Sequence, residues 1–164
     1  MIKGPLTRWG IFFYTVLLCL IPQAFICWKD IIVLSINTHI ITIDAITGNR
    51  IATLPGSEVL SLTFSPDGTP LVSGSNNRTT KLWNIQTGGV VRTFKGHTGP
   101  VNSVSISPDC TTLASGSYGT ISLWNIQTGE CHSIIQQEGW VGSIHFFPLD
   151  PQHFISISGG GIWE

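Results

Sequence analysis

Apolar and polar side chains alternate strictly over several short stretches of the chain. Leu60, Leu62 and Phe64 alternate with hydroxyl-bearing residues, and Val104 and Ile106 alternate with serines. A period of two is typical of a β-strand with one packed face and one polar face. Both stretches end in a Ser-Pro-Asp sequence, in which proline fixes φ at the first position of a turn. The pattern therefore predicts short strands joined by tight turns.

Two longer stretches are near-copies of one another. Residues 71–88 read LVSGSNNRTTKLWNIQTG and residues 113–129 read LASGSYGTISLWNIQTG. The seven letters LWNIQTG are identical, and Trp83 and Trp124 are 41 residues apart. Self-similarity near this period indicates supersecondary units that stack side by side. Each complete unit has room for four short antiparallel strands.

Composition limits the classes of partner. Charged residues make up 10% of the chain, against about 25% in an average globular domain. The net charge is −1 and the basic residues are scattered. A nucleic-acid-binding protein needs a basic patch or stripe, so this class is not expected.

No motif or cluster that carries chemistry stands out. The chain has no phosphate-binding glycine loop, no nucleophile elbow and no zinc-protease motif. The four cysteines form no Cys-x-x-Cys pair, and buried or bystander thiols are the expected interpretation. Cys131 and His132 are neighbours on a predicted strand and point to opposite faces, so they cannot readily share a metal ion. We therefore predict no catalytic, cofactor or metal site and no enzymatic activity.

The N-terminal residues differ from the rest. Lys3 and Arg8 precede residues 11–28, which carry no charge. As a helix this run would measure about 27 Å, close to the hydrocarbon thickness of a membrane. It is interpreted as a signal peptide, a membrane anchor or an unrelated leader. A glycan at Asn77, in the sequon Asn77-Arg78-Thr79, would show that the chain had entered a lumen. We expect a cytoplasmic protein, with a membrane-anchored or secreted one as the alternative.

Several signals recur at fixed offsets and together resemble WD repeats, the units of β-propellers. They are Gly96-His97, the Ser-Pro-Asp turns, the Ser-Gly-Ser hairpins and the Trp-Asn pair before each Thr-Gly. The resemblance covers residues 31–164. It implies an all-β fold, a partial WD-repeat β-propeller of four-stranded antiparallel blades, with an apolar N-terminal segment ahead of it.

The resemblance also implies a domain organisation. We expect an apolar N-terminal segment over 1–30 and an incomplete propeller over 31–164. Within the propeller the predicted parts are a half blade at 31–54, a blade at 55–95, a blade at 96–136 and a truncated blade at 137–164. Propellers close with about four to eight blades, and an open arc exposes unpaired sheet edges. Completion by further blades or self-association is therefore expected.

Family blades carry a buried hydrogen-bonded set made of a His, a strand Ser, a turn Asp and the strand Trp. By resemblance, the second full unit supplies His97, Ser115 or Ser117, and Trp124, but Tyr118-Gly119 occupy the turn where the Asp belongs. The first full unit supplies Trp83, with Asn77 at the Asp position. Because partly satisfied buried networks are costly, these blades should be looser than complete ones. Trp163, 39 residues after Trp124, is predicted to be a core residue like the other two strand tryptophans.

The family implies a function in binding. Its propellers serve as non-enzymatic platforms on which other proteins assemble. The alternatives are the sensor part of a nucleotide-binding regulatory protein, or a membrane-anchored or secreted propeller fragment. Recognition sits on loops and favours Trp, Tyr and Arg, so the candidates for partner binding are Trp140, Tyr118, Arg78, Asn76 and Asn77. The alternative is that Trp140 packs under its own loop and that Arg78 is merely solvated.

Overall fold

A computed structural model describes residues 24–36, 38–159 and 161–163, and every regular element in these ranges is a β-strand. In chain order the strands are β1 (Ala24–Trp28), β2 (Ile31–Ile36), β3 (His39–Asp44), β4 (Arg50–Pro55), β5 (Val59–Phe64), β6 (Pro70–Ser75), β7 (Thr79–Asn84), β8 (Val90–Lys95), β9 (Ser103–Ile106), β10 (Thr112–Asn125), β11 (Cys131–Phe147), β12 (Asp150–Ser158) and β13 (Gly161–Trp163). The predicted all-β class is confirmed. Within the described ranges no helix is long and apolar enough to span a membrane.

The strands form sheets in which neighbours in sequence are neighbours in space. β1 to β4 make a first sheet and β5 to β8 make a second sheet, each in the order of the chain. β9 to β13 follow one another in a continuous hydrogen-bonded order. All the pairings are antiparallel. The arrangement is a series of meanders, as the short strands and tight turns predicted.

The long strand β10 doubles back on itself. Trp124 Nε1 donates a hydrogen bond of 2.7 Å to Ser115 Oγ, nine residues earlier. A straight strand would hold these residues about 30 Å apart. The reversal falls at Tyr118 and Gly119, where Gly119 has a φ of 73°. β10 therefore supplies two arms of a third sheet.

β11 belongs to two sheets. Its first half pairs with β10 between Cys131 and Gln136, and its second half pairs with β12 between Val141 and Phe147. It is therefore the outer strand of the third sheet and the inner strand of a fourth, which continues with β12 and β13. No loop separates these two sheets.

The half blade predicted at 31–54 is corrected by the structure. β1 pairs with β2 from Ala24↔Ser35 to Trp28↔Ile31, so the first sheet has four strands. Its first strand comes from within the segment 1–30 that was assigned to the apolar N-terminus. The strand was missed because its residues read AFICW, an unbroken apolar run without the polar alternation of the other inner strands. Residues 1–23 of the predicted segment lie outside the described residues.

Consecutive sheets pack face to face. Adjacent residues on one strand point to opposite faces, so Leu71 contributes to the interface with the first sheet and Val72 to the interface with the third. Three buried clusters join consecutive sheets. They contain Val33, Ile40 and Leu54 with Phe64, Leu71 and Trp83; Val72, Leu82 and Phe94 with Val104, Leu113 and Trp124; and Ala114 and Ile121 with Val141 and Ile144. A fourth cluster, of Ile32, Leu34 and Ile43, lies on the other face of the first sheet. The core between the sheets is thus divided into layers, one for each consecutive pair.

Two glycines allow the close approach of successive sheets. A Cβ on Gly74 would lie 2.8 Å from Val101 Cγ1, and one on Gly116 would lie 2.5 Å from Val141 Cγ1. Both glycines are the centre of a Ser-Gly-Ser hairpin strand. The repeated motif is therefore explained by packing, since any side chain there would meet the first strand of the next sheet.

Serines on the inner strands tie the sheets together. Ser61 Oγ accepts a hydrogen bond from the backbone N–H of Val104 over 3.2 Å. One repeat later, Ser103 Oγ accepts from the N–H of Ile144 over 2.9 Å. These bonds satisfy backbone donors that point out of the ladder, so the polar positions of the alternating strands also have a structural role.

The register of Trp163 differs from that of the other strand tryptophans. Trp83 pairs with Leu71 in the second sheet. Leu71 also pairs with Phe64, near the end of the inner strand, and in the fourth sheet Phe154 pairs with Phe146 in the same way. Phe154 is therefore the counterpart of Leu71. Trp163 instead pairs with Ser156. Its spacing of 39 residues from Trp124 leaves it two short of the 41-residue period, so it does not occupy the equivalent position. Ser156 Oγ is buried without a hydrogen-bond partner among the described residues.

The close approach at Gly116 gives a stability prediction. Gly116→Ala should destabilise the protein by about 1–3 kcal/mol, because the new methyl group would overpack the interface with Val141. Gly142→Ala is the matched control on the same sheet system, since a Cβ there would meet nothing nearer than 3.8 Å. Urea unfolding of both variants measures the difference. Equal midpoints for the two variants would contradict the packing role of Gly116.

Candidate functional site

The turns of the meanders collect at two ends of the structure. The turns between first and second strands, such as those around residues 29–30, 65–69 and 107–111, lie at one end, which we call the basal end. The turns between second and third strands, at 76–78 and 118–119, lie at the opposite end, which we call the distal end. The predicted binding candidates belong to the distal end.

Tyr118 and Trp140 form an aromatic pair at the distal end. They are Cα partners across β10 and β11. Their ring centroids are 5.4 Å apart with an interplanar angle of 76°, an edge-to-face arrangement of the kind that aromatic rings prefer. Their exposed fractions are 58% and 53%. Trp140 thus does not pack beneath its own loop, and the fold brings together two candidates that the sequence treated separately.

Asn76, Asn77 and Arg78 lie on the β6–β7 turn of the second sheet and are not part of the aromatic pair. The side-chain amide of Asn76 donates to Glu58, and that of Asn77 donates to Ser57. Arg78 is exposed and adopts a φ of 68°, while its N–H donates to the Ser75 carbonyl over 3.2 Å. The two asparagines therefore fix this turn against the preceding loop.

A hydrogen-bonded set lies behind the aromatic pair in the third sheet. Ser115 Oγ accepts from Trp124 Nε1 and lies 2.7 Å from His97 Nε2. Ser115 Oγ has one donor and two acceptor sites, so it can accept from the indole and still pair with either tautomer of His97. Thr120 Oγ1 is 3.4 Å from the Nδ1 atom of His97. Thr120 directly follows Tyr118-Gly119, the turn where the family pattern has an Asp. Of the two serines the sequence left open, Ser115 is the one in the set, and Ser117 Oγ is buried without a partner in the described region.

The second sheet has a shorter version of this set. Trp83 is fully buried, and its Nε1 donates to Ser73 Oγ over 2.9 Å. No histidine stands at the position of His97, and Thr80 Oγ1 is buried without a partner among the described residues. Asn77, expected at the Asp position, instead accepts from Thr79 Oγ1 over 2.7 Å. The set in the second sheet is therefore reduced to a single side-chain bond.

Burial lowers the pKa of His97 below its usual value of 6.5. Desolvation disfavours the charged imidazolium, and this effect outweighs the hydrogen bond to the Ser115 backbone, which raises the pKa. The lowered pKa favours the neutral ring at neutral pH.

An apolar cavity of about 270 Å³ lies at the basal end, which the sequence did not predict. All four sheets contribute to its wall, through Trp28, Phe64, Pro66, Ile106, Pro108, Phe146, Phe147 and Pro148. The available signal was a proline that follows three of the four inner strands, Pro66, Pro108 and Pro148, at a repeat-like spacing. Among the described residues, no three His, Cys, Asp or Glu side chains come together in a way that could hold a metal ion.

Comparison with known proteins gives the family. Residues 48–84 and 88–125 match the model of the WD domain, G-beta repeat. The chain therefore contains two WD repeats. The matched stretches contain both copies of the LWNIQTG motif, so the resemblance noted in the sequence is confirmed.

The curated relatives are longer WD-repeat proteins. The chain is 36% identical over 105 residues to a guanine nucleotide-binding protein subunit beta of Oryza sativa subsp. japonica, which covers 58% of this chain and 28% of that protein. It is 35% identical over 86 residues to an Aspergillus terreus eukaryotic translation initiation factor 3 subunit I, covering 52% of this chain and 26% of that one. The chain thus spans about a quarter of the length of these relatives.

Solved structures share the fold over nearly the whole chain. The crystal structure of the computationally designed Ika4 protein matches with a TM-score of 0.78 and 26% identity, covering 88% of this chain and 91% of that one. The computationally designed Ika8 protein matches with a TM-score of 0.77 and 27% identity, but only 45% of that chain is covered. The same arrangement of sheets therefore occurs both as nearly a whole chain and as about half of a longer one.

The WD-repeat set around His97 predicts a pH dependence of stability. The pKa of His97 is lowered in the folded state, so the unfolded chain binds more protons in this range, and stability should fall as the pH drops below about 6.5. His97→Gln should flatten this part of the profile. Thermal unfolding between pH 5 and pH 8 measures both. An unchanged slope in the variant would show that another group is responsible.

Proposed function

We propose that this WD-repeat protein is a non-enzymatic platform for protein–protein interaction. The observation that carries the proposal is the exposed Tyr118–Trp140 pair at the distal end. Tyr and Trp are over-represented among residues that dominate binding energy at interfaces. Two large rings held against each other on paired strands present apolar area without the entropy cost of ordering a loop. This is the property expected of an anchor for a partner.

The relatives support the same class of function. Both are named as subunits, one of a guanine nucleotide-binding protein and one of a translation initiation factor. Proteins of this family generally act by binding other proteins, which agrees with a lack of chemistry of their own. A role as the sensor part of a nucleotide-binding regulatory protein stays a prediction, as does the cytoplasmic location with its membrane-anchored or secreted alternative.

The proposal predicts that loss of the aromatic pair removes partners while the fold survives. Tyr118→Ser and Trp140→Ser should each weaken association with cellular proteins by at least about tenfold, since anchor residues contribute about 2 kcal/mol or more. Ile134→Ser is the matched control, because Ile134 is also exposed, at 61%, on the same strand as Trp140. Quantitative affinity purification with mass spectrometry measures all three variants. Equal recovery of every partner by the aromatic variants and the control would exclude the pair as the binding surface.

We further propose that the chain is completed by further sheets or by self-association. Ile157 is the counterpart of Gly116, one repeat later, and Gly116 packs against the following inner strand. In the fourth sheet Ile157 and Ile162 are exposed, at 48% and 71%. An apolar sheet face of this kind supports association with another sheet.

Self-association should depend on concentration. Sedimentation velocity over a hundredfold range of concentration should show a shift from monomer to a larger species. Ile162→Asp should weaken the shift, and Ile46→Asp, at a residue 73% exposed on a basal turn of the first sheet, should not. A monomer at every concentration would refute self-association.

A further inference from the structure

The basal cavity has an acidic rim. An aspartate follows each of the four inner strands around it: Asp30, Asp67 and Asp109 lie on turns, and Asp150 is the first residue of β12. Lys29 and His153 are the basic groups beside them, and His153 Nδ1 lies 2.7 Å from Asp150 Oδ2. Four carboxylates therefore surround an opening whose wall is apolar.

These carboxylates are held in fixed positions by their own turns. Asp67 accepts from the Ser65 hydroxyl and from the Thr69 N–H, and Asp109 accepts from the equivalent Ser107 and Thr111. The hydrogen bonds from the serine hydroxyls lower the pKa of Asp67 and of Asp109. Both groups are thus negatively charged at neutral pH, although they lie beside an apolar cavity.

Most of the other cations at the basal end are distant from the opening. Arg50 and Arg92 lie on β4 and β8, the fourth strands of their sheets, whereas the cavity is built from the first strands. Three strand spacings separate them, about 14 Å. The Arg92 guanidinium donates to the carbonyl oxygens of Gln127 and Thr128. The rim therefore carries four carboxylates against two basic groups, His153 and Lys29, and the Lys29 Nζ lies 5.9 Å from the ring centroid of Trp28 in the cavity wall.

The cavity is somewhat smaller than a typical pocket for a small organic ligand. Pockets for small organic ligands measure about 300–1,000 Å³, and this one has about 270 Å³. It is walled by Trp28, Phe64, Ile106 and Phe146, one from each sheet, and Phe147 is partly exposed at 39%. Such a wall suits one large apolar side chain, and the charge around it suits cations on either side of that side chain.

We propose that the basal cavity binds a protein segment in which a large apolar side chain is flanked by lysines or arginines. The apolar side chain fills the cavity and the flanking cations lie against Asp67 and Asp109. This interaction rests on the proposed role in protein binding, but it uses the end of the structure opposite to the Tyr118–Trp140 pair. The chain would then hold two partners, or two parts of one, at the same time.

Three labelled peptides test the proposal by fluorescence anisotropy with the full chain: Lys-Lys-Phe-Lys-Lys, the acidic analogue Glu-Glu-Phe-Glu-Glu, and Lys-Lys-Ser-Lys-Lys without the anchor. Only the first should bind measurably, and its affinity should fall as salt is added. Equal binding of the first and third peptides would exclude the cavity as the site of the apolar side chain. Equal binding of the first and second peptides would exclude a contribution from the acidic rim. No binding of the first peptide would overturn the proposal.

Variants separate the rim, the cavity and the distal end. The double variant Asp67→Asn and Asp109→Asn keeps the accepting oxygens of the turns and should raise the Kd of the first peptide by about three- to tenfold. Asp44→Asn is the matched control. Asp44 also accepts from backbone N–H groups of a basal turn, but that turn joins the third and fourth strands of its sheet. The Kd of the first peptide for this variant should change by less than about twofold. Phe147→Ser should weaken binding at least as much as the rim variant. An unchanged Kd in the rim and cavity variants would overturn the proposal.

Tyr118→Ser should leave the Kd of the peptide unchanged. If it alone weakened the peptide, the site would be at the distal end and the basal proposal would be wrong. If instead the peptide bound as predicted while Tyr118→Ser retained every cellular partner, the distal surface would fail and the basal site would stand.

Discussion

Close contact between consecutive sheets is the constraint on which the structure depends. Each sheet is too thin to bury its own apolar side chains and does so only by packing against the next. Gly74 and Gly116 make this possible, because a Cβ at either position would collide with a valine of the following sheet. Large residues such as Trp83 then fill the space on the other face of each sheet. The alternation of small and large residues across the two faces explains why the repeat keeps both Ser-Gly-Ser and Leu-Trp-Asn.

The polar residues of the core are arranged around this packing. Serines on the hairpin strands accept from the indole N–H groups of Trp83 and Trp124, and serines on the inner strands accept from backbone donors of the next sheet. Only the third sheet adds a histidine, so its set has one more member than that of the second. The aromatic pair lies on the reversal of that same sheet. The surface proposed for binding is therefore supported by the most complete hydrogen-bonded set among the described sheets.

Much of the fold could be predicted because the two central copies of the repeat carry their signals at fixed offsets. The strands around Leu62, Val104 and Trp124 lie where alternation and turn residues placed them. The prediction failed at β1, where an apolar run hid the alternation. That error was not visible from local propensity, because it depends on which residue pairs across the sheet.

The candidate sites were harder to predict, since they arise from residues that are distant in sequence. Tyr118 and Trp140 were recognised one by one as residues on loops, but their contact results from a register shift between β10 and β11 that no pattern signals. The basal cavity needed all four sheets to be placed together. Two of its aspartates, Asp67 and Asp109, belong to the Ser-Pro-Asp turns, a local role that does not signal their shared position around one opening.

The continuity of β11 has a structural consequence. This strand begins at the outer edge of the third sheet, passes Trp140 and ends at Phe147 in the wall of the basal cavity. It is hydrogen-bonded to a neighbour along both halves, and Gly139, with a φ of 74°, lies where one half gives way to the other. The other consecutive sheets are joined by the loops 56–58 and 96–102. The third and fourth sheets therefore share one strand, and the seven residues after Trp140 connect the aromatic pair directly to the wall of the basal cavity.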